Sequence, residues 1–367
     1  MKIGFDAKRY YHNRTGLGNY SRSLVSGLQQ SHPEVECVLY DAKSLERTFR
    51  LGQRAKAESC DLLHGLSNEL PLNIRQSGIP SVVTMHDVAW RTFPRMYHWI
   101  DRHLYDLKYG HSCQAATRVI AISESTKRDV MRYYGVPEER IEVIYQPVQS
   151  LFYEPLTQDR ADELIGEAVK QGELTEALPT DGFVLNVGSI NARKNLLGLV
   201  QALEVLPAER RPLLLVVGNG REYKREVLDY VARHQLEPYF RLETGVRDNR
   251  TLQALYSRCT LMAYPSYYEG FGLPVVEAAL QQTPVLTTTV SSLPEAAGPD
   301  ACYVDPHATD AVEQIAAHLE LLCSSHASAH DIGLKLEAYA RRMFAPQRLT
   351  DQVVGCYERA LGQSSRS

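Results

Sequence analysis

The sequence lacks the patterns of a membrane-spanning or secreted protein. It has no run of about 18 apolar residues, so we expect no membrane-spanning helix. Its first eight residues enter a short strand without the apolar stretch of a secretion signal. The seven cysteines are scattered and form no Cys-x-x-Cys, which favours reduced thiols over a disulfide framework or a zinc site. We therefore expect a cytoplasmic protein.

Two further absences narrow the class of function. The net charge is −4, so the sequence predicts no general attraction to nucleic acid. No Asp-x-Asp occurs, so the chain offers no obvious clamp for a divalent metal. Neither a short-period repeat nor a low-complexity segment is present. The length of 367 residues exceeds one comfortable hydrophobic core and predicts two domains.

Short apolar runs alternate with helical segments along the whole chain. The predicted strands cover residues 3–6, 35–40, 62–64, 81–85, 118–122, 141–145, 183–187, 213–217, 240–243, 261–264, 285–288 and 302–304. Such alternation is typical of parallel, doubly wound α/β sheets. Because both halves show it, we predict two Rossmann-like domains. They cover 1–170, joined by a C-terminal helix at 347–367, and 180–346. The acidic segment 159–179 is interpreted as the interdomain region, with one long helix as the alternative.

The most informative stretch follows the predicted strand at 261–264. Glu269 falls on a strand-to-helix loop, and Glu277 falls about one turn inside the next helix. Gly270 and Gly272 let a backbone approach a ligand, and the amides at the helix start can bind an anion. Either glutamate alone is most simply a solvated charge. Two carboxylates that accept hydroxyl hydrogens, together with an anion site, favour binding of a nucleotide-sugar.

This segment resembles the Glu-x7-Glu signature of retaining glycosyltransferases of family 4, which have the GT-B fold. The resemblance implies two Rossmann-like domains facing each other across a cleft, with the last helix crossing back to the first domain. It also implies a nucleoside-diphosphate sugar as substrate. Because the chain has no Asp-x-Asp, we expect no metal cofactor. In this family's pattern Glu277 binds the ribose, Glu269 orients the sugar ring, and the intervening residues contact the donor. Those residues are Gly270, Phe271, Gly272 and Leu273.

Basic residues follow the first predicted strand of the second half. Gly188 permits close approach of a ligand, and Arg193 and Lys194 can supply positive charge to a diphosphate. Similar enzymes often carry an arginine directly after the glycine, where this chain has Ser189. The basic role therefore passes to Arg193 and Lys194.

Two other loops of the second half are candidates for contacts with the nucleotide. The resemblance places the backbone of Val246 and Arg247 against the base and Gly218 beside the nucleotide, although Gly218 suits an ordinary turn equally well. One departure stands out, because the family usually has glycine before Thr-Pro-Val and this chain has Gln282. The departure concerns the end of the helix that carries Glu277.

The first half contributes two candidates. Gly16 opens a helix after the first strand and could hold a diphosphate, although such a glycine often serves a tight turn. His86 stands at the carboxyl end of the strand at 81–85, where ligands bind in these sheets. A lone histidine there is more often structural. The resemblance instead sets His86 against the transferred sugar.

Residues 91–111 mix arginines, histidines and aromatic side chains. They predict either a solvated amphipathic helix or an acceptor-side surface near a membrane. The resemblance points to mannose, with GDP-mannose as donor and a glycan or lipid-linked glycan as acceptor in bacterial polysaccharide synthesis. Two alternatives remain at this point: a nucleotide-sugar epimerase or phosphorylase, and a non-catalytic nucleotide-sugar-binding protein of the same fold.

Overall fold

The chain divides into two compact units in a computed structural model that describes residues 1–13, 16–180 and 182–364. The first unit contains residues 1–149 and the C-terminal segment from 344, and the second contains 150–343. Thr15 of the predicted glycine loop and residues 365–367 of the predicted last helix lie outside the described residues.

A six-stranded parallel sheet forms the centre of the first unit. Its strands are β1 (Lys2–Asp6), β2 (Glu36–Tyr40), β3 (Leu62–Gly65), β4 (Ser81–Met85), β5 (Arg118–Ala121) and β6 (Ile141–Val143). They are arranged in the order β2-β1-β3-β4-β5-β6. Every residue of β3 and β4 is buried, as expected for strands covered by helices on both faces.

Helices surround this sheet, and their ends follow local sequence signals. They are α1 (Lys8–His12), α2 (Gly16–Ser31), α3 (Ser44–Phe49), α4 (Leu51–Ala57), α5 (Ile74–Ser77), α6 (Ala89–Thr92), α7 (Trp99–Ala115) and α8 (Glu124–Tyr134). The Ser123 hydroxyl caps α8 by accepting the Thr126 N–H at 3.0 Å. Gly135 ends α8 with a φ of 60°, a left-handed conformation that suits glycine.

A second six-stranded parallel sheet forms the centre of the second unit. Its strands are β7 (Val184–Val187), β8 (Leu214–Val217), β9 (Phe240–Glu243), β10 (Leu261–Ala263), β11 (Val285–Thr288) and β12 (Cys302–Val304). Their order is β12-β11-β10-β7-β8-β9. All twelve strands lie where the apolar runs predict them, within about two residues at each end.

Eight helices of the second unit are present in the described residues. They are α9 (Gln158–Lys170), α10 (Leu196–Val205), α11 (Glu222–Arg233), α12 (Asn249–Arg258), α13 (Leu273–Leu280), α14 (Leu293–Ala297), α15 (Ala311–Ser324) and α16 (His326–Met343). Leu196, Leu199 and Leu203 of α10 pack with α15 over β7 and β8 in one hydrophobic core.

The C-terminal helix α17 (Pro346–Ser364) belongs to the first unit, as the sequence predicts. It packs against α2 and β4. The Tyr357 hydroxyl lies 2.7 Å from His64 Nδ1, and Asp351 lies 2.9 Å from His32 Nε2. The last helix therefore contributes to the core of the unit that begins the chain.

The predicted boundary between the domains is wrong for residues 150–170. These residues were assigned to the first domain, but α9 packs along α12 in the second unit. Ala161, Leu164 and Ile165 are the buried side of α9, and Asp162 forms a 2.5 Å ion pair with Arg258. The acidic composition of this segment suggested a linker. Composition alone does not show the spacing of its apolar residues, which form one face of α9.

Membrane-spanning helices and cysteine pairing are two features that bear on the class of protein. In the described part of the chain, no helix has both the length and the apolar character needed to cross a membrane. All seven cysteines are free thiols, four of them buried.

Candidate active site

The strand order of the second unit brings two distant loops together. The order reverses between β7 and β10, which are neighbours although the strands β8 and β9 separate them in the chain. Ligands of open parallel sheets bind at the carboxyl ends of strands beside such a reversal. The loop after β7 carries Arg193 and Lys194, and the loop after β10 carries Glu269.

These three side chains form one buried charge cluster. Glu269 lies 2.9 Å from a guanidinium nitrogen of Arg193 and 2.9 Å from Lys194 Nζ. Lys194 also donates to the Tyr264 hydroxyl and lies 4.4 Å from the centre of that ring. Arg193 donates to the Tyr268 carbonyl. At most 15% of each of the three charged side chains is exposed.

The cluster carries a net charge of about +1, because two cations face one carboxylate. Burial alone would raise the pKa of Glu269, but Lys194 and Arg193 outweigh it and lower the pKa to about 2. Glu269 therefore stays ionised at neutral pH. The excess positive charge suits a ligand that carries two or more negative charges.

Two serines after β11 hold the Glu269 loop in shape. The Glu269 N–H donates to Ser291 Oγ at 3.0 Å. Ser292 Oγ donates to the carbonyls of Glu269 and Phe271 at 2.9 and 2.8 Å. Ser292 is fully buried, so these bonds fix the loop backbone from beneath.

Helix α13 begins directly after this loop. Gly272 has a φ of 110° at the helix cap, a conformation that an L side chain rarely adopts, and Leu273 is the first helical residue. Glu277 lies one turn into α13, where the Tyr256 hydroxyl donates to its Oε2 at 3.1 Å. Burial of the carboxyl raises the pKa of Glu277 to about 7, although the Tyr256 bond opposes the rise.

Gly188, which precedes the basic pair, and Gly218, which follows β8, are glycines for two different structural reasons. Gly188 has a φ of 135°, and a Cβ there would lie 3.4 Å from Lys194 Nζ. At Gly218 a Cβ would lie 1.8 Å from the Gly188 carbonyl oxygen. Close packing of two loops therefore explains Gly218 without a ligand. In the loop after β9, Val246 is half-buried and Arg247 is exposed.

The departure at Gln282 is visible in the backbone. Gln282 follows α13 with a φ of 60°, the left-handed conformation that glycine adopts without strain. Its side-chain amide donates to Glu337 Oε2 at 2.8 Å. The helix therefore ends with the usual geometry on an unusual residue, and both glutamates keep their positions on the loop and helix.

The first unit supplies a site of a different kind. His86 follows β4, is 5% exposed, and bonds through both ring nitrogens, to the Leu66 carbonyl at 2.9 Å and to the Gln146 amide at 3.1 Å. Burial lowers the pKa of His86 to about 4, so the imidazole is neutral at pH 7. Gly16, the other candidate here, is the exposed first residue of α2.

Comparisons with known proteins agree with this architecture. Two family models match, "Glycosyltransferase Family 4" over residues 15–150 and "Glycosyl transferases group 1" over residues 174–335. O-antigen chain mannosyltransferase B of Escherichia coli is 30% identical, in an alignment that covers 98% of this chain and 100% of that protein. The chain belongs to glycosyltransferase family 4.

One further relative and two solved structures are also similar to this glycosyltransferase. The MMP alpha-(1->4)-mannosyltransferase of Mycolicibacterium hassiacum is 24% identical over 80% of this chain and 68% of that one. HepE from Anabaena, in complex with UDP and glucose, has a TM-score of 0.72 at 19% identity, covering 97% and 98% of the two chains. Sucrose-phosphate synthase from Thermosynechococcus elongatus has a TM-score of 0.75 at 18% identity, covering 99% and 100%. These structures share the GT-B fold.

The structure of the glycosyltransferase groups the sequence-predicted residues by unit. Arg193, Lys194 and Glu269 are in direct contact, and Glu277 lies on the next helix. His86 and Gly16 belong to the first unit. In the described ranges, no three His, Cys, Asp or Glu side chains lie close enough together to hold a metal ion.

Sequence reasoning missed several residues that hold the site. Tyr264 was counted with an apolar strand, and Tyr256 and Gln146 drew no attention. Ser291 and Ser292 received no role either. One signal was available, because polar side chains directly after buried strands lie at the ligand-binding edge of such a sheet.

Proposed function

We propose that this enzyme transfers a hexose, with retention of configuration, from a nucleoside-diphosphate sugar to a glycan or lipid-linked glycan during surface polysaccharide synthesis. The carrying observation is the contact of Glu269 with Arg193 and Lys194 at the β7–β10 reversal. This cluster offers positive charge for a diphosphate and a carboxylate for sugar hydroxyls in one place.

The leaving diphosphate is the main electrostatic problem of the reaction. Arg193 and Lys194 bind its charge, and preorganised cations in a buried setting stabilise a leaving group strongly. Amides at the start of α13, near Gly272, and near Gly16 add hydrogen bonds. When a diphosphate engages the two cations, Glu269 becomes available to accept hydroxyl hydrogens of the sugar.

The nucleoside binds along the same edge of the second sheet. The Glu277 carboxylate accepts hydrogen bonds from the ribose hydroxyls, because it lies one turn from the diphosphate-binding end of α13. The backbone of Val246 and Arg247 contacts the base, next to the loops of Gly188 and Gly218. Gly270, Phe271 and Leu273 line the sugar and diphosphate.

The chemistry needs no enzyme nucleophile in this scheme. Glu269 is a poor base because Lys194 and Arg193 depress its pKa to about 2. The leaving phosphate takes the acceptor proton as the acceptor attacks from the same face. His86 contacts the sugar as a neutral imidazole and does not transfer a proton.

The transfer reaction requires no metal ion, and its donor is GDP-mannose. The similarity to O-antigen chain mannosyltransferase B and to the MMP alpha-(1->4)-mannosyltransferase supports mannose. HepE is described with UDP and glucose, which supports a nucleotide-sugar but leaves the base open. Arg193 and Lys194 take the place of a metal, so turnover in chelator should equal turnover with added Mn²⁺ or Mg²⁺. Activity that disappears in chelator and returns with metal would contradict this proposal.

The acceptor side includes a peripheral contact with an anionic membrane through residues 91–111. Ile100, Leu104 and Leu107 of α7 lie one turn apart on one face and are 52%, 45% and 73% exposed. Trp99 at the start of the helix is 63% exposed, and Arg95 precedes it. Exposed apolar residues beside basic ones are typical of helices that lie in a membrane interface.

Vesicle sedimentation tests the membrane contact. The double variant Leu104→Glu, Leu107→Glu should lose binding to vesicles of phosphatidylethanolamine and phosphatidylglycerol. Leu228→Glu, which changes a leucine that is 37% exposed in the second unit, is the matched control and should bind normally. Equal binding by all three proteins would remove α7 from the membrane contact.

A donor panel tests the proposed activity. The enzyme is incubated with GDP-mannose, UDP-glucose, ADP-glucose or dTDP-glucose, with and without a mannan-type oligosaccharide. Transfer, or slow hydrolysis of one donor, is the expected result. An isomerised donor would favour an epimerase, and thermal stabilisation by a donor without turnover would favour a binding protein.

A further inference from the structure

The surroundings of His86 are more elaborate than a contact with sugar requires. Three segments of the first unit form hydrogen bonds with this residue. Asn68 accepts the His86 backbone N–H at 2.7 Å, and Thr126 donates to the His86 carbonyl at 3.3 Å. Leu66 and Gln146 bond the two ring nitrogens at 2.9 and 3.1 Å. Both the backbone and the ring of His86 are therefore held by other parts of the first unit.

The chemistry of these partners fixes the ring protons. The Leu66 carbonyl can only accept, so His86 Nε2 must carry a hydrogen. In a neutral imidazole Nδ1 is then bare and can only accept, so the partner atom of Gln146 is its donating NH₂ group. The two bonds together select the neutral Nε2–H tautomer. They also define the plane of the ring, because each bond favours the plane of the imidazole.

Gln146 is well placed for this purpose. It lies three residues beyond the end of β6, and 7% of it is exposed. The aromatic ring of Tyr20 stands at 90° to the His86 ring with centroids 4.6 Å apart. Contact with Tyr20 limits tilting of the imidazole but supplies no hydrogen bond to either ring nitrogen. Among the described contacts, Gln146 supplies the bond that Nδ1 accepts.

We propose that Gln146 is a positioning residue for sugar transfer, which it serves by donating to His86 Nδ1 and holding the imidazole in one plane and one tautomer. The proposal rests on the proposed role of His86 at the sugar. It gives Gln146 no contact with substrate. Its effect should therefore reach turnover through His86 and leave donor binding nearly unchanged.

Two variants separate positioning from simple stability. Gln146→Leu removes the donor and leaves Nδ1 unsatisfied. Gln146→Glu keeps the length of the side chain and replaces the amide donor by a carboxylate, whose charge favours a proton on Nδ1 and hence an imidazolium. Gln253→Leu is the control, because Gln253 is a buried glutamine in the second unit whose amide bonds the Leu151 and Glu154 carbonyls.

The primary measurement is ¹⁵N NMR of the full chain labelled at histidine, with the His86 signal assigned by its loss in His86→Gln. Wild type should show one Nε2–H tautomer at pH 7. Gln146→Leu should keep the hydrogen on Nε2, because the Leu66 carbonyl still accepts it, but should shift and broaden the Nδ1 signal, which has lost its hydrogen-bond donor. Gln146→Glu should show a doubly protonated ring. Gln253→Leu should lower the melting temperature while leaving the His86 signal as in wild type.

The secondary measurement is steady-state transfer with the donor found in the panel. Gln146→Leu should lower kcat by about ten- to a hundredfold, because misplacement of an oriented group is costly, and should keep the KM for donor within about twofold. Gln253→Leu should keep kcat within about twofold of wild type.

The combined results decide the proposal. An unchanged His86 signal in both Gln146 variants would overturn it. So would a changed signal with normal kcat while His86→Gln is inactive, since His86 would then act without being fixed by Gln146. A changed signal with normal kcat in Gln146→Leu and in His86→Gln alike would refute the proposed role of His86 at the sugar and thereby the positioning role.

Discussion

The carboxyl edges of the two sheets hold their candidate residues in opposite electrostatic states. In the second unit Glu269, Arg193 and Lys194 are all charged and neutralise one another in part. In the first unit His86 is neutral, and its partners are an amide and a carbonyl. Both sheets have six parallel strands, so the difference comes from the loops and not from the architecture.

The difference suggests a division of labour. A charged edge binds an anion through long-range attraction, whereas a neutral hydrogen-bonded edge orients a polar group without competing for its charge. The second unit should therefore determine donor affinity, and the first unit should determine turnover. Substitutions on the two edges ought to separate these two quantities.

The largest expected effect is that of Lys194→Ala. It removes one of two cations beside the diphosphate and leaves the cluster without net positive charge. We expect donor affinity to fall by roughly 1.5–3 kcal/mol, since a hydrogen bond to a charged group is lost. Turnover should fall by about 100-fold or more because the leaving group loses stabilisation. Calorimetry and steady-state transfer measure the two effects.

Lys335→Ala is a suitable control for Lys194→Ala. Lys335 lies on α16 in the same unit and forms an ion pair with Asp331 on the same helix, at 2.7 Å. It should bind donor like wild type. Normal donor affinity in Lys194→Ala would show that the charge cluster does not bind the diphosphate.

His86→Ala should lower turnover without lowering nucleotide affinity. Turnover should fall by about 100-fold, as is usual when a group that orients the reacting substrate is lost. Nucleotide affinity, measured by calorimetry with GDP, should stay within about twofold, because the cluster in the second unit is intact. Loss of nucleotide binding by His86→Ala would contradict the division between the two edges.

Glu277 should give a pH-dependent donor affinity. The ribose hydroxyls need a carboxylate acceptor, and the pKa of Glu277 is raised to about 7. Donor affinity should therefore increase from pH 6 to pH 8, by about tenfold if only the ionised form binds. Glu277→Gln should bind more weakly at pH 8, by about 1.5–3 kcal/mol, and should show no such dependence. An affinity that stays flat from pH 6 to 8 in wild type would contradict the ribose role.

Glu277 and Glu269 should make the free energy of unfolding depend on pH in opposite directions. A carboxyl with a raised pKa, such as Glu277, contributes stability that is lost as pH rises from about 4.5 through about 7. Glu269 has a depressed pKa, so its contribution is present above about 4.5 and is lost as pH falls toward about 2. Urea titrations of Glu277→Gln and wild type at pH 5 and pH 8 should show a smaller difference in free energy of unfolding between the two pH values in the variant.

Local sequence patterns predicted the strands well, for a physical reason. Burial of alternating apolar runs and the capping of α8 by Ser123 depend on neighbours in the sequence. The Glu269–Arg193 contact depends on β10 lying beside β7, and nothing local in the chain encodes that order. The sequence therefore predicted both residues as donor-binding but not their pairing.

The residues that the sequence did not predict share one property. Tyr256, Gln146 and Ser292 act through hydrogen bonds to groups that are distant in the sequence. No periodicity distinguishes such a side chain from one that is merely buried. The domain boundary was misplaced for a related reason, because the face of α9 that packs on α12 is recognisable once the partner helix is known.

The smallest expected effect is a change in folding stability at the helix ends of the two units. Gly135 ends α8 and Gln282 follows α13, and both residues have a φ of 60°. Gln282→Gly relieves the left-handed strain but loses the bond to Glu337, whereas Gln282→Ala loses the bond and keeps the strain. The glycine variant should therefore be more stable than the alanine variant by about 1 kcal/mol. Urea denaturation measures this difference.

Gly135→Ala tests the same geometry from the other side. It introduces a Cβ into the left-handed position without removing any side-chain bond, so it should lower the free energy of unfolding by about 1 kcal/mol. Space is not the cause, because nothing lies within 4 Å of a Cβ built at this glycine. If the glycine and alanine variants at 282 were equally stable while Gly135→Ala was destabilised, residue 282 would not keep the left-handed conformation in the alanine variant. The end of α13 would then have to shift in the variants, and donor affinity through Glu277 would be expected to change with it.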